Sequence, residues 1–549
     1  MRPAPATTKE RLLAAPESRP QREVRRPQVL KVGHRAYLRA LLPLLVGGGF
    51  LAALAFNPER RLRIELLDAE TRLPVPGVIR ISPLDGGDPV RIAGPMSRAE
   101  GLKGEEARSA QSWYVLPGPG EVSLSRARLK IDAFSGLESE LASRSVDLTG
   151  RSQDSVSLPI HFFSRVAREK WYAANTHLHL QGVSRERADR YLLEVPRADR
   201  LDLVFISQVE RAGADHVYIT NEYPVGDVRQ LWSSGVLVNQ GEEHRNNLIG
   251  AEGYGHVMLL GIQSLIRPVS IGPGINRAGD DGTPLERGIA EAHRQGGTAI
   301  WCHNAKGLED VPNLVLGGLD AVNVFDGSSQ HKYEDSFYRY LNAGMRVPFS
   351  TGTDWFMFDL SRAYARVEGT LGVKAWLSAL RAGRSFITNG PLLDFTVEAK
   401  GPGETIELAS AGEVRVQGSA RGRLDFGKLE LVRNGEVVAQ ADARPNGGHY
   451  EVVISRGLSV SGPSWLALRV SGGGLNEYGR PIFGHTSPVY LTVAGKEIRI
   501  EQDVQYLIAE IERALTTINQ HARFLSEVDR KGVLDVYRRA MAALQGPER

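Results

Sequence analysis

The stretch PLERGIAEAHRQGGTAIWCHN, residues 284–304, joins a helical pattern directly to a strand pattern. Its first half spaces apolar residues along one face of a helix, and Gly296 and Gly297 predict where that helix stops. The uncharged run that follows predicts a buried strand, which ends at His303. A helix followed by a strand with a polar residue at its end is the repeating unit of an α/β fold.

The same rhythm continues on both sides of this unit, over residues 166–393. Short apolar runs that end in polar residues recur at 201–207 (LDLVFIS), 320–327 (DAVNVFDG) and 347–355 (VPFSTGTDW). Strands that alternate with helices predict parallel strands in a barrel or a wound sheet. Ligands bind at the carboxyl ends of strands in such folds, so these polar residues are the first candidates for a site.

The flanking regions carry different patterns. Residues 60–165 read as short strands separated by turns and predict a β-sandwich, in which LLDAETRLPVPGVIRI resembles transthyretin-like, carboxypeptidase-regulatory modules. Residues 394–496 also alternate, with a hairpin signal at Asn434 and Gly435, and predict a second β-sandwich. Residues 497–549 repeat apolar residues at helical spacing and predict two packed helices.

Charge is concentrated at the amino terminus. Residues 1–39 form a basic arm with ten Lys or Arg against three Glu, although the whole chain has a net charge of only +3. The rest of the chain is therefore slightly acidic, and nothing in it predicts binding to nucleic acid. The single cysteine, Cys302, excludes an intrachain disulfide.

An uncharged segment, ALLPLLVGGGFLAALAF at residues 40–56, follows the basic arm. Its length is at the short end of a membrane span, so it predicts a transmembrane anchor with the bulk of the chain periplasmic or extracellular. Ala53 and Ala55 form an A-x-A pattern, which leaves a cleaved signal peptide and a secreted protein as the alternative. A buried helix is a third reading, which the proline and glycines of the segment fit poorly.

Histidine is concentrated in the middle region. Eight of the thirteen histidines lie between residues 177 and 331. In NTHLHL, residues 175–180, His177 and His179 are two apart in a strand-like segment. Alternate residues of a strand face the same side, so both imidazoles can bind one metal ion.

Four further stretches place an imidazole or a carboxylate near the end of a predicted strand. They are LVNQGEEHRNN with Glu242 and Glu243, GYGHVMLLG with His256, TAIWCHN with His303, and STGTDW with Asp354. Each residue taken alone fits a structural role, such as a core histidine or a turn carboxylate. All of them in one α/β region predict a metal site.

These motifs resemble those of the polymerase-and-histidinol-phosphatase (PHP) superfamily, and within it the CehA/McbA-type metallohydrolases. The resemblance covers the middle region and extends to ALRAGRSFITNGPLLDF at its end. It implies a distorted (β/α)7 barrel with up to three metals. The fold class expected for the chain is therefore multidomain, with this barrel flanked by two β-sandwiches, a carboxyl-terminal helical segment and an amino-terminal membrane helix.

The resemblance also implies ligands for two metals, carried over motif by motif. The first metal would take His177, His179, Glu243 and Asp354. The second would take Glu243 as a bridge, with His256 and His303. The third site departs from the family pattern, because Gln208 and Val209 replace an Asp-His step and Trp355 and Phe356 follow the late Asp. We therefore expect two divalent ions.

Two bridged ions lower the pKa of a shared water, so Glu243 is expected to be catalytic, generating hydroxide together with the ions. Nitrogen and carboxylate ligands suit Zn²⁺, Mn²⁺ or Fe. His244 and His331 are candidates to deliver a proton to the leaving group. Lys306, Arg245 and Arg362 are candidates to hold an anionic substrate.

A cysteine nucleophile is the less favoured alternative for this site. Cys302 adjoins His303, and neighbouring residues of a strand face opposite sides. We therefore expect its thiol to point away from the metals.

The sequence thus predicts a metal-dependent hydrolase that cleaves a phosphoester, ester, carbamate or amide bond outside the cytoplasm. Its partners would be a small-molecule or phosphoester substrate and the membrane that holds the amino-terminal helix. The alternative is a non-catalytic cell-envelope binding protein with a degenerate barrel and β-sandwiches that bind glycan or protein. No pattern indicates an oligomeric state.

Overall fold

The computed structural model describes residues 60–212, 217–303, 307–328, 333 and 336–546. The predicted basic arm, residues 1–39, and the predicted membrane segment, residues 40–56, lie outside the described residues. Within the described ranges, no helix is both long and apolar enough to cross a membrane. The membrane anchor therefore stays a prediction from the sequence.

The amino-terminal region folds into two small sheets, in the orders β4-β1-β7 and β3-β2-β5-β6. Its elements are β1 Arg60–Asp68, β2 Gly77–Pro83, α1 Gly104–Ala110, β3 Tyr114–Leu116, β4 Gly120–Leu124, β5 Arg128–Phe134, β6 Ala142–Asp147 and β7 Gln153–Ile160. Alternation sets the inward face, since Leu62 and Ile64 are fully buried between arginines that are not. Both sheets contribute to one apolar core, as the sequence predicts for a β-sandwich.

The middle region alternates strands with helices and turns. Its strands are β8 Trp171–His179, β9 Leu203–Gln208, β10 Gly226–Asp227, β11 Leu237–Asn246, β12 Gly255–Leu260, β13 Ser270–Ile271, β14 Thr298–Trp301, β15 Ala321–Asn323, β16 Phe349–Ser350, β17 Asp354–Trp355, β18 Arg362–Arg366 and β19 Ser385–Thr388. Its helices are α2 Arg185–Ala198, α3 Pro273–Asn276, α4 Leu285–Arg294, α5 Asp310–Val315, α6 Phe337–Asn342 and α7 Val373–Arg381. Short 3-10 helices cover Val166–Glu169, Ile219–Glu222, Arg229–Ser234 and Asp326–Ser328.

These strands form a strongly curled sheet. β8, β9 and β11 are parallel neighbours, and so are β14, β15 and β16. β12 joins the two sets and runs antiparallel to both β11 and β14. The chain that leaves β16 returns to β8, because β17 pairs with β8 in parallel.

The distorted (β/α)7 barrel implied by the resemblance is not shown. The described residues instead adopt a mostly β scaffold with few helices, in which the curled sheet forms a half-barrel. The prediction of parallel strands is wrong at β10, β12 and β18, which run antiparallel to their neighbours. At β12 the physical reason is the short connection from β11, which suits antiparallel neighbours rather than a helical crossover.

The carboxyl-terminal strands form a second sandwich. They are β20 Leu392–Val397, β21 Thr405–Leu408, β22 Gly412–Gly422, β23 Gly427–Arg433, β24 Glu436–Asp442, β25 Arg444–Asn446, β26 His449–Val460, β27 Ser464–Gly472, β28 Gly484–Thr486 and β29 Val489–Val493. The predicted hairpin joins β23 to β24, where Asn434 and Gly435 both have positive φ. One sheet has the order β20-β22-β26-β25, whereas the other continues the curled sheet through the β19–β28 pair.

Two helices, α8 Glu501–His521 and α9 Glu527–Gln545, complete the described chain, as the apolar spacing predicts. The Ser526 hydroxyl accepts a hydrogen bond from the Asp529 backbone and begins α9. Ile511 and Tyr537 are fully buried in the same apolar core as Trp301 of β14. The helical pair is therefore part of the middle region's core.

Candidate metal centre

The structure brings together all six side chains that the motifs assign to metal. They are His177, His179, Glu243, His256, His303 and Asp354. Four lie at or near the end of a strand, whereas His256 and Asp354 lie at the beginning of β12 and β17. Because β12 is reversed, its first residues lie at the same edge of the sheet where its neighbours end.

His177 and His179 form one wall of the centre. Both are fully buried on the same face of β8, and their Nε2 atoms lie 3.1 Å apart. The Nδ1 atom of His177 faces a carboxylate oxygen of Asp326 at 2.6 Å, and Nδ1 of His179 donates to the carbonyl of Ser207 at 2.9 Å. Since Nδ1 of each ring has its own acceptor, it is the Nε2 of each ring that faces the centre.

Glu243 spans the middle of the centre with its two oxygens. Oε2 lies 3.0 Å from Nε2 of His179, and Oε1 lies 2.9 Å from Nδ1 of His256. The other nitrogen of His256 faces the Asn247 side-chain oxygen at 2.9 Å. One carboxylate thus faces imidazoles on two sides, which is the geometry of a bridging ligand.

Several of these atoms lack the hydrogen bonds that burial requires. Among the described residues, Nδ1 of His303 has no hydrogen-bond partner, and Nδ1 of His256 faces Oε1 of Glu243 without the geometry of a hydrogen bond. Lone pairs that face each other at about 3 Å repel unless a proton or a cation lies between them. Nitrogen and oxygen ligands around one tetrahedral ion lie about 3.3 Å apart, which resembles the spacing observed here.

Two overlapping groups of donors follow from these distances. One contains His177, His179 and Glu243, and the other contains Glu243, His256 and His303, with the ligand atoms of each group within 4.8 Å of one another. These buried groups can hold a metal ion.

Asp354 closes the first group. Its Oδ1 lies 3.4 Å from Nε2 of His177 and 3.8 Å from Nε2 of His179. Its Oδ2 lies 3.9 Å from His303. Both Asp354 and His303 have a positive φ, of 60° and 51°, which is a strained conformation for residues other than glycine. Such strain persists only where the surroundings enforce it, and it concentrates at functional sites.

The charges in the centre favour a cation. Burial lowers the pKa of His177, but the carboxylates of Asp326 and Asp354 outweigh burial and raise that pKa to about 10. Burial also opposes ionisation of Glu243, yet Arg245 beside it holds the pKa of this carboxyl well below its usual range. Glu243 therefore stays negative and attracts positive charge, whereas burial and the neighbouring carboxylates Glu243 and Asp326 raise the pKa of Asp354 to about 7.

Arg245 lies on the same face of β11 as Glu243, two residues further on. Its Nη1 is 3.7 Å from Oε2 of Glu243. Its Nε and Nη2 are fixed by the Ser270 hydroxyl and the carbonyl of Glu210. One end of the guanidinium is thus held rigidly at the centre, as a residue that binds an anionic substrate requires.

Two predicted residues do not lie at the centre. His244 faces the opposite side of β11, where its Nδ1 pairs with Glu242 at 3.1 Å and its ring packs against Gly288 of α4. It cannot deliver a proton to the centre, because neighbouring residues of a strand face opposite sides. Arg362 is 1% exposed and donates to the backbone carbonyls of Leu360 and Asp199, so the predicted contact with substrate is wrong.

Lys306 and His331 lie outside the described residues, so their roles stay predictions. The third-site positions contain apolar side chains as the sequence indicates, with Val209 fully buried and Phe356 1% exposed. Trp355 covers His179 with its ring centroid 5.0 Å away.

Sequence reasoning missed Asp326 and misplaced Cys302. Asp326 follows β15, and its position at a strand end was the available signal. Cys302 is fully buried, with its sulfur within 4.8 Å of ligand atoms of His177 and Asp326. It does not point away as expected, because β14 ends at Trp301 and strand alternation no longer applies. Burial raises the pKa of the Cys302 thiol well above its usual value, which disfavours a nucleophilic role.

No family model matches the chain, and no curated protein or solved structure matches it either. The case for a function therefore depends on the geometry of the centre and on its motifs.

Proposed function

We propose that this chain is a metal-dependent hydrolase of the PHP, CehA/McbA type, with two divalent ions at the centre. The observation that carries the proposal is the arrangement around Glu243. Its two oxygens face separate histidines, and His177, His179 and His256 each have their second ring nitrogen held by an acceptor. Histidines that bind metal are oriented in this way.

The order of the residues along the chain supports the PHP assignment. The H-x-H pair, the bridging Glu, two later His and a late Asp meet at one edge of a curled sheet, as the resemblance implies. A merely structural cluster would bury fewer groups whose hydrogen-bonding capacity is unsatisfied. The alternative, a binding protein with a degenerate barrel, gives no reason to keep the complete set.

The residues of the centre suit the cleavage of a phosphoester, ester, carbamate or amide bond. When bound, two divalent ions would lower the pKa of a shared water and polarise the bond that is cleaved. Glu243 would hold both ions, and Arg245 would bind an anionic oxygen of the substrate. Trp355 would exclude water from the side of His179.

We also propose that the hydrolase acts outside the cytoplasm. Residues 40–56 would anchor it in the membrane or direct its secretion, and the basic arm before them would stay inside. A single cysteine excludes an intrachain disulfide, but an exported protein of this size can be stable without one, so the cysteine count is compatible with this proposal.

Metal content per full-length chain, measured by inductively coupled plasma mass spectrometry, tests the proposal. We expect about two ions of Zn²⁺, Mn²⁺ or Fe in the wild type and a sharp loss in Glu243→Gln, because a bridging carboxylate is removed. Glu242→Gln is the matched control: this neighbouring carboxylate is also buried and paired with a histidine, but it faces away from the centre. It should retain the metal.

Hydrolysis of p-nitrophenyl phosphate, acetate and carbamate esters, with and without chelator, then identifies the bond class. Turnover that the chelator abolishes and the metal restores supports a hydrolase. A wild-type chain that stays free of metal after incubation with all three ions would refute the proposal and favour the binding protein.

A further inference from the structure

The segment that follows Asp354 is held by the amino-terminal sandwich. Asp354 and Phe356 both have positive φ, 60° and 51°. An L-residue in this conformation returns to a commoner one unless its neighbours prevent it. Pairing of β17 with β8 holds Asp354 from one side, and the contacts of residues 356–359 hold the segment that follows it.

Arg98 supplies the most specific of these contacts. It lies between β2 and α1, and its side chain is completely buried. Its Nη1 donates to the carbonyl of Met357, and its Nη2 lies 3.5 Å from the carbonyl of Asp359. Asp199, at the end of α2, neutralises the guanidinium at 2.5 Å.

Gly101 contributes a second contact from the same loop. A Cβ at this position would lie 2.0 Å from the Phe356 ring, so only glycine admits the ring there. Tyr191 of α2 packs edge-on against Phe356, and its hydroxyl accepts a hydrogen bond from the Met357 backbone at 2.7 Å. The loop and α2 thus grip the segment from two sides.

A buried arginine is a costly way to join two domains, because apolar side chains of similar volume pack as well without desolvating a charge. What an arginine adds is direction, since its planar donors fix the carbonyl oxygens of one backbone conformation. At Met357 and Asp359 that conformation is the one that presents Asp354.

From these contacts we infer that the amino-terminal sandwich is a component of the metal centre, and that Arg98 is a positioning residue that holds Asp354 in its ligand conformation. This inference rests on the proposed function, since it assigns Arg98 a role in metal binding. The first β-sandwich, in which the sequence indicates no function, would then help to position a metal ligand.

Arg98→Met in the full-length chain tests the inference, with Arg423→Met as the matched control. Arg423 is also buried, donates to two backbone carbonyls, those of Gly136 and Ser139, and pairs with the carboxylate of Glu477, but these partners lie outside residues 354–362. Both variants lose a buried arginine, and only Arg98→Met releases the ligand segment.

Three measurements distinguish positioning from stability. We expect Arg98→Met to bind Zn²⁺ about tenfold to a hundredfold more weakly in a competition titration. Its Co²⁺ complex should have an altered visible spectrum, and amide exchange over residues 354–362 should be faster in the metal-free chain. Arg423→Met should match the wild type in all three, even where its melting temperature falls.

If Arg98→Met lowers only the melting temperature, Arg98 is structural and the inference is overturned. If Arg98→Met does not fold, Gly101→Ala displaces Phe356 through the other contact, and unchanged metal binding there overturns the inference equally. A wild-type chain that binds no metal refutes the proposed function, and the assignment of Arg98 to metal binding with it. The amide exchange rates of residues 354–362 then still show whether Arg98 stabilises the conformation of this segment.

Discussion

Single atoms decide what the histidines of the centre can do. His177 can offer Nε2 to a metal because Asp326 accepts a hydrogen bond from its Nδ1, and Asn323 fixes Asp326 in turn at 3.1 Å. A ligand of this kind loses orientation and basicity when its acceptor is removed.

Asp326→Ala is therefore expected to weaken Zn²⁺ binding about tenfold to a hundredfold. Asp320→Ala provides the control, because Asp320 forms a similar pair with His293, 2.8 Å apart, near the surface. Competition titration of both variants gives the comparison. Equal affinity in the two would show that Asp326 does not orient a ligand.

For single residues, the sequence predicted well which candidate ligands lie together and predicted their neighbours poorly. The six metal candidates meet at one centre, and they could be chosen because metal ligands are restricted to a few residue types. His244 was misassigned although alternation along β11 places it opposite Glu243. The error at Cys302 was of the reverse kind, because alternation was applied one residue beyond the end of β14. Arg362 could not have been placed, since long side chains choose their partners in three dimensions.

Among the elements, the reversed strand β12 is the feature that sequence patterns did not reveal. Strand patterns report burial and not direction, so a rhythm of strands and helices suggested parallel pairing throughout. The position of His256 at the start of its strand was nevertheless informative. His256 can lie at the same edge of the sheet as the other candidate ligands only if β12 runs antiparallel to its neighbours.

Helix α4 has an external cap that makes its stability depend on pH. Glu309, fully buried, accepts backbone hydrogen bonds from Leu285 and Glu286 at the beginning of α4. Burial raises its pKa from 4.5 to about 7. The folded state therefore holds a proton more tightly than the unfolded state, and this stabilisation is complete below pH 4.5 and is lost as the pH rises towards 7.

Glu309→Gln lacks this titration. We expect the unfolding free energy of the wild type, relative to the variant, to fall by about 1–3 kcal/mol between pH 5 and pH 8. Urea unfolding of both chains at the two pH values measures this difference in unfolding free energy. The contributions of all other titrating groups are the same in both chains and cancel. Parallel pH profiles would show that Glu309 is already ionised at pH 5.

At the scale of the whole molecule, the region boundaries predicted within the described residues are not structural breaks. The curled sheet passes into the second sandwich through β19 and β28, and the terminal helices share the middle core. Periodicity finds elements one at a time, and it cannot show which of them will share a core.

Ile511→Ala should therefore destabilise the whole chain by about 2–4 kcal/mol, since Ile511 is fully buried in that core. Val528→Ala, in the same helical pair but 78% exposed, should change stability by less than about 0.5 kcal/mol. Denaturant unfolding followed by tryptophan fluorescence separates the two. A separate early transition in Ile511→Ala would mean that the helices fold as an independent unit.

The burial of Cys302 gives the molecule a built-in reporter. The chain has one thiol, and that thiol lies in the wall of the centre, beneath its ligands. A thiol reagent in solution reacts with Cys302 only when the centre opens and exposes the sulfur. The labelling rate therefore reports the opening of this site alone. The motions of the centre can thus be timed chemically without introducing a foreign probe into the chain.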